Sequence, residues 1–276
     1  MLSRAIARVS FAAIVIFAGQ PGRLEAQEKP ATAATSIHRA TLAEKSPKTP
    51  EISTEELKSI LASGAAVLLD TRPHLEWAIS HIPGARNVAP KPGMPMSQYT
   101  SDVAEVGRLV ASDKTKALVL YCNGPFCGKS KRVSEELLAA GYSNVRRYQL
   151  GAPVWRALGG VMITAMDGVR YIFEKDRSAV FIDARDPAEF ATGSLAGARN
   201  LPQGKVLPGK DVGEVKAAKD DGRLPMEDHN TRIVVFGRDA QQARAVAEAL
   251  AQEAFHNVSY FDGEFLALKN ALSKRR

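Results

Sequence analysis

The chain contains two cysteines, and both fall in one short run, residues 121–129 (YCNGPFCGK). A thiolate is a nucleophile and a thiol is a poor one, so the charge environment of Cys122 decides whether it reacts. An apolar run, ALVLY, leads into Cys122, and an amphipathic stretch beginning near Ser130 follows the loop. Cys122 therefore stands where a buried strand ends, with a helix about eight residues on. In open α/β sheets ligands bind beyond the carboxyl ends of strands, and the first-turn N–H groups and dipole of the next helix favour negative charge there. Asn123, Gly124, Phe126, Cys127 and Gly128 each keep a backbone N–H, Gly124 and Gly128 tolerate positive φ, and Pro125 stiffens the loop while removing one donor. With Lys129 and Lys131 close by, these surroundings should favour the Cys122 thiolate, although burial alone would oppose it. Asn123, Gly124, Phe126, Cys127, Gly128 and Lys129 are accordingly the expected substrate-binding residues around Cys122.

The elements that must hold this loop come from an internal duplication. Residues 66–87 (AVLLDTRPHLEWAISHIPGARN) align with residues 179–200 (AVFIDARDPAEFATGSLAGARN), and ten of 22 positions are identical, including Asp70/Asp183, Arg72/Arg185, Glu76/Glu189, Gly84/Gly197 and Arg86/Arg199. The same offset aligns the stretch from Ser130 with that from Ala243, so a whole domain is repeated. The copies are expected at 51–160 and 163–272. Each alternates short apolar runs with amphipathic segments, the pattern of an α/β fold with a mostly parallel central sheet flanked by helices. In the first copy Ser53 and Glu56 form a capping box opening a helix through about Ala62. Strands are predicted at 67–70, 117–121 and 145–148, with a short helix around Leu75 and a helix over 130–140 closed by Gly141.

A length of 276 residues accommodates two such domains with chain to spare. Hydrophobic residues at 45% and charged residues at 24% exclude wholesale disorder and a polytopic membrane protein. The net charge of +7 is scattered, without the basic stripe and stacking aromatics of a nucleic-acid interface. Two cysteines cannot build a four-cysteine zinc site, and His74 and His81 have no second cluster, so no metal and no cofactor is expected. Residues 1–26 have the layout of a secretory signal peptide: Arg4 and Arg8, an apolar run over 9–18 too short to span a membrane, and a polar stretch ending at Ala26. Residues 27–50, rich in Ala, Thr, Lys and Pro, read as a disordered leader. The expected location is the periplasm, with no membrane span in the mature chain.

The run LLDTRPHLEWAISHIPGARNV, followed by LVLYCNGPFCGKSKRVSEELLAAGYSNVRRYQLGAPVW with its Gly151 and Trp155, resembles the rhodanese family. Through the duplication the likeness extends to the second copy, giving tandem rhodanese-like domains. The resemblance implies that Cys122 attacks the outer sulfur of a small anionic donor such as thiosulfate, holds it as a persulfide, and passes it to a thiol or cyanide acceptor. It also implies sulfur rather than phosphate transfer, because the loop from Cys122 to Cys127 has the six-residue length associated with the former. Cys127 departs from the family pattern. It could resolve the persulfide, pair with Cys122, or pack. The second copy departs further: Gly237 stands at the nucleophile's position and the loop is two residues shorter, so this copy is expected to be silent and to stabilise the first or shape its cleft. Active tandem members usually carry the cysteine in the later copy.

Other singled-out residues carry plainer expectations. Asp70 and Arg72, repeated in a copy without a thiol, should be structural, and Trp77/Phe190 and Trp155 should be core. Lys129, Lys131 and Arg132 fit a solvated helix face as well as an anion funnel, and residues 210–228 read as a solvated connection. Two other functions compete with sulfur transfer: a thiol–disulfide oxidoreductase on the Cys122/Cys127 pair, and a non-catalytic sulfur carrier or binding module whose partner the sequence does not specify.

Overall fold

The computed structural model describes residues 47–273; the expected signal segment and nearly all of the expected leader lie outside them. In the first copy the order is α1 (Thr54–Ser63), β1 (Val67–Asp70), α2 (His74–Ile79), β2 (Arg86–Asn87), α3 (Asp102–Leu109), β3 (Leu118–Tyr121), α4 (Gly128–Ala139), β4 (Val145–Tyr148) and α5 (Gly151–Ala157). The second has β5 (Met162–Thr164), α6 (Met166–Lys175), β6 (Val180–Asp183), α7 (Pro187–Ala191), β7 (Arg199–Asn200), α8 (Gly213–Asp220), β8 (Ile233–Phe236), α9 (Ala240–Gln252), β9 (Val258–Phe261) and α10 (Phe265–Ser273). Every strand pair is parallel. The sheets run β2-β1-β3-β4 and β5-β9-β8-β6-β7.

Local chemistry explains the boundaries. Ser53 and Glu56 make the reciprocal capping box, and Gly64 ends α1 in the left-handed region at φ 64°. Strands β3, β6, β8 and β9 are buried at all four positions, as parallel strands covered on both faces must be. Alternation then sorts their side chains. Leu68, Val119 and Tyr121 join one core with Ile52, Leu57 and Trp155, while Leu69, Leu118 and Leu120 join the other with Val106, Val133 and Leu137. The fifth strand of the second sheet has a reduced counterpart in the first copy, where Glu51 bridges to Arg147 of β4.

Three expectations change. Residues 210–228 are not merely a solvated connection: α8 turns Val215 and Ala218 into the core, pairs Glu214 with Arg223 and Lys219 with Glu253, and leaves Lys216 and Asp220 exposed. Trp77 and Phe190 are half-buried rather than core, and only Trp155 is enclosed. The helix after the cysteine loop begins at Gly128, two residues before the expected Ser130, because a weak helix former at the first position hides the start.

The two copies meet through backbone. His81 and Ile163 exchange hydrogen bonds of 2.9 and 2.8 Å, Ala165 N–H donates to the Ala78 carbonyl (2.8 Å), and the Thr164 hydroxyl donates to the Ile79 carbonyl (2.8 Å). A Cβ at Gly168 would lie 1.9 Å from the Ala78 oxygen, so only glycine lets α6 approach α2 this closely. The second copy thus grips the helix that carries Glu76.

Candidate active site

Cys122 follows β3 directly, at the carboxyl edge of the sheet, and is 3% exposed. The loop is six residues long, and Gly124 takes φ +101° at its bend, where Cys127 N–H donates to the Gly124 carbonyl (3.0 Å). This turn folds the loop back on itself. It brings the two cysteine Cα atoms to 6.1 Å, and their sulfurs are joined in a disulfide. Cys127 is half-buried, and the Phe126 side chain is fully exposed at the tip.

The loop is seated by α5. Ala152 N–H donates to the Cys122 carbonyl (3.0 Å), and Gly151, at φ +66°, leaves no room for a side chain: a Cβ there would stand 2.3 Å from the Cys122 oxygen and 2.5 Å from the Gly124 nitrogen. Trp155 anchors the far end of α5 through its indole N–H to the Val161 carbonyl (3.0 Å). The spacing from Gly151 to Trp155 is therefore a clamp, one end pressing on the loop and the other in the core.

Electrostatically the site favours an anion. Cys127 is the N-cap of α4, no side chain caps that end, and its first turn has no acid. Among the described residues the N–H groups of Asn123, Gly124, Phe126 and Gly128 donate to no backbone carbonyl. The cations that follow are partly engaged elsewhere. Lys129 Nζ lies 3.9 Å from Asp102 Oδ1, and Arg132 reaches Asp102 Oδ2 and Glu136 Oε1, each at 2.7 Å. Asp102 also accepts from the Tyr99 hydroxyl, whose pKa is pushed up by burial and by that carboxylate. Of the expected binding residues, Asn123, Gly124, Phe126, Cys127 and Gly128 are gathered in the loop, whereas the Lys129 ammonium is directed to Asp102. Neither Asp102 nor Glu76 was expected at the site. Glu76 accepts from Asn123 Nδ2 at 2.6 Å, tying α2 to the residue beside Cys122; its identity with Glu189 was the available signal.

Beneath the loop lies a buried ion pair. The Asp70 carboxylate accepts from the backbone and guanidinium of Arg72 (2.5–3.0 Å) and from the Tyr121 hydroxyl (2.6 Å), while Arg72 Nη2 also donates to the Ser80 carbonyl (2.6 Å). Burial works against the Arg72 charge, but Asp70 outweighs it and holds the guanidinium more firmly protonated than usual. Burial and the Asp70 carboxylate push the Tyr121 hydroxyl well up, so it stays a donor. His81, buried, donates from Nδ1 to the Trp77 carbonyl (2.8 Å), and burial lowers its pKa. His74 bonds Asn87 Oδ1 at 3.3 Å. Among the described residues no group of three His, Cys, Asp or Glu side chains could hold a metal.

The second copy repeats the frame with different contents. Asp183 and Arg185 pair as Asp70 and Arg72 do, but Arg238 follows Gly237 and clasps Glu189 at 2.7 and 3.2 Å, holding that carboxyl below its usual range. A Cβ on Gly237 would meet Ala243 N and Gln242 Oε1 at 3.0 Å, so the shorter loop draws α9 over the place a nucleophile would need.

Residues 53–158 and 170–271 match the rhodanese-like domain family. A putative mitochondrial thiosulfate sulfurtransferase of Schizosaccharomyces pombe is 26% identical over 101 residues, 36% of this chain and 70% of that protein. Thiosulfate:glutathione sulfurtransferase of Homo sapiens is 34% identical over 108 residues, 36% of this chain and 86% of that protein. Among solved structures, thiosulfate sulfurtransferase from Pseudomonas aeruginosa aligns at 23% identity and TM-score 0.34 over 79% of this chain, which spans only 44% of that one. A 3-mercaptopyruvate sulfotransferase from Escherichia coli aligns at 19% identity and TM-score 0.35, covering 78% of this chain and 98% of that one.

Proposed function

The chain belongs to the rhodanese-like domain family, and from that membership we propose that it is an exported, periplasmic sulfurtransferase whose first copy reacts through Cys122. The Cys122 thiolate attacks the outer sulfur of a donor such as thiosulfate, the donor's S–S bond breaks, sulfite leaves, and Cys122 carries a persulfide. A thiophilic acceptor, a thiol or cyanide, then takes the outer sulfur. The observation that carries this reading is the placement of Cys122 at a strand end, in a six-residue loop closing on a helix start with neither cap nor acid. Asn123, Gly124, Phe126 and Gly128 supply amides to the transferred sulfur, the Cys127 amide being held by the Gly124 carbonyl, and Lys129 adds long-range attraction for an anion. Because the disulfide occupies Cys122, the protein enters this cycle only after reduction.

Reduced, desalted protein mixed with thiosulfate should release about one sulfite per chain, and Cys122→Ser should release none. Absence of that burst from the reduced wild type would overturn the reading. The bonded cysteine pair also favours a second reading, a thiol–disulfide oxidoreductase. A dithiol enzyme would lose all reaction in Cys127→Ser, whereas the sulfur-transfer reading keeps sulfite release there. Export rests on residues 1–26 and is tested by fractionating cells that express the full chain.

A further inference from the structure

Resting on the sulfur-transfer reading above, we propose that Cys127 is the first acceptor of that sulfur's bond: it resolves the Cys122 persulfide inside the loop, expels the sulfane sulfur as hydrosulfide, and leaves a disulfide that an external dithiol must reduce. Three observations converge. The Cα separation of 6.1 Å and the bond already formed show that this backbone holds the Cys127 sulfur against the Cys122 sulfur. In the persulfide that same atom is the inner sulfur. Cys127 also caps a twelve-residue helix that has no competing side-chain cap and no acid in its first turn, an environment that favours its thiolate. The two residues differ in exposure as well, since Cys122 is 3% exposed and Cys127 is half-buried.

The step balances. The Cys127 sulfur attacks the inner sulfur of Cys122–S–S⁻, the Cys122–Cys127 bond forms, and the bond to the outer sulfur breaks. The outer sulfur leaves with both electrons of that bond and takes up the Cys127 proton, or one from water, to become HS⁻. Sulfane sulfur is reduced to sulfide and two thiols are oxidised to one disulfide. Recharging then needs two electrons from a dithiol. Its thiolate attacks the sulfur of the more exposed residue, Cys127, Cys122 departs as thiolate, and the second thiol of the reductant releases Cys127. Phe126, exposed beside Cys127, is the apolar surface such a reductant meets. The net reaction converts thiosulfate and a dithiol into sulfite, hydrosulfide and a disulfide.

The test is a single turnover. Protein is reduced, freed of reductant under anaerobic conditions, and mixed with one equivalent of thiosulfate, with sulfite, sulfide and intact mass followed together. Wild type should release sulfite and then an equal amount of sulfide, and end two hydrogens lighter than the dithiol form with no added sulfur. Cys127→Ser should stall one sulfur atom heavier, with sulfide release slowed at least about tenfold. Wild-type protein that holds its persulfide and releases sulfide no faster than Cys127→Ser would overturn the proposal while leaving the sulfur-transfer reading intact. If no sulfite appears from either protein, that underlying reading falls and takes this one with it. The wild-type mass alone decides the matter if the variant misfolds.

Discussion

Gly151→Ala is the sharpest probe of how the loop is held. The added Cβ would lie 2.3 Å from the Cys122 carbonyl oxygen, and real Cβ contacts essentially never fall below 3.0 Å. The Cys122 peptide must therefore retreat by about 0.7 Å, stretching the 3.0 Å bond it accepts from Ala152. Alanine at φ +66° costs about 1–2 kcal/mol by itself, and overpacking against backbone adds about 1–3 kcal/mol. A loss near 3 kcal/mol corresponds to a fall in Tm of roughly 6–12 °C for a protein of this size. If Cys122 reacts as proposed, displacement of its peptide by most of an ångström should also slow the sulfite burst at least about tenfold. Gly159→Ala is the matched control. Its φ is +76° and nothing lies within 4 Å of the added Cβ, so only the conformational cost of about 1–2 kcal/mol applies. Thermal unfolding by circular dichroism and rapid-quench sulfite release, both on reduced protein, separate the two. If Gly151→Ala matched Gly159→Ala in both measurements, the clamp between α5 and the loop would be wrong.

Other perturbations address the surrounding frame. Tyr121→Phe removes a donor to Asp70 and the acceptor of Ile82 N–H (3.1 Å), both buried, and should cost about 1–3 kcal/mol in urea unfolding with an unchanged slope; a loss under about 0.5 kcal/mol would contradict the network. Burial lowers the His81 pKa, so the unfolded chain takes up its proton first as pH falls below about 6.5. The stability His81 contributes is complete above that pH and lost as pH drops toward the folded value, and Tm measured from about pH 7.5 to about pH 5.5 should fall less steeply in His81→Gln. Introducing a thiol into the second copy, Gly237→Cys in a Cys122→Ser background, should yield no sulfite, since α9 crowds that position; a burst there would show the shorter loop is no obstacle.

What was legible in the residues alone was whatever neighbours in sequence control. Strands at 67–70 and 145–148 occur at the expected residues, and the capping box opens α1 where Ser53 and Glu56 place it. These signals work over a turn or a few alternating positions, and the duplication extended them to the second copy. The helix start at Gly128 escaped because glycine is a poor helix former, and α8 escaped because its dense charges masked Val215 and Ala218.

Only the folded chain decides which distant groups meet. Asp70 and Asp183 share the same Asp-x-Arg position in the duplication, yet the same carboxylate oxygen is satisfied by the Tyr121 hydroxyl on β3 in one copy and by Ser194 Oγ (2.6 Å) in the other, where Phe236 pairs with Asp183 at the position Tyr121 takes beside Asp70. Nothing local chooses between those donors. A buried carboxylate requires one, and whichever hydroxyl the packing brings within reach supplies it. Likewise the residues around 122–127 single out Cys122 as the expected reactive thiol, but the turn at Gly124 and the clamp from Gly151 bring Cys127 onto it, and Asp102 draws the Lys129 ammonium aside. Periodicity and caps are properties of a few consecutive residues; partnership is a property of distance in space, which the fold alone sets.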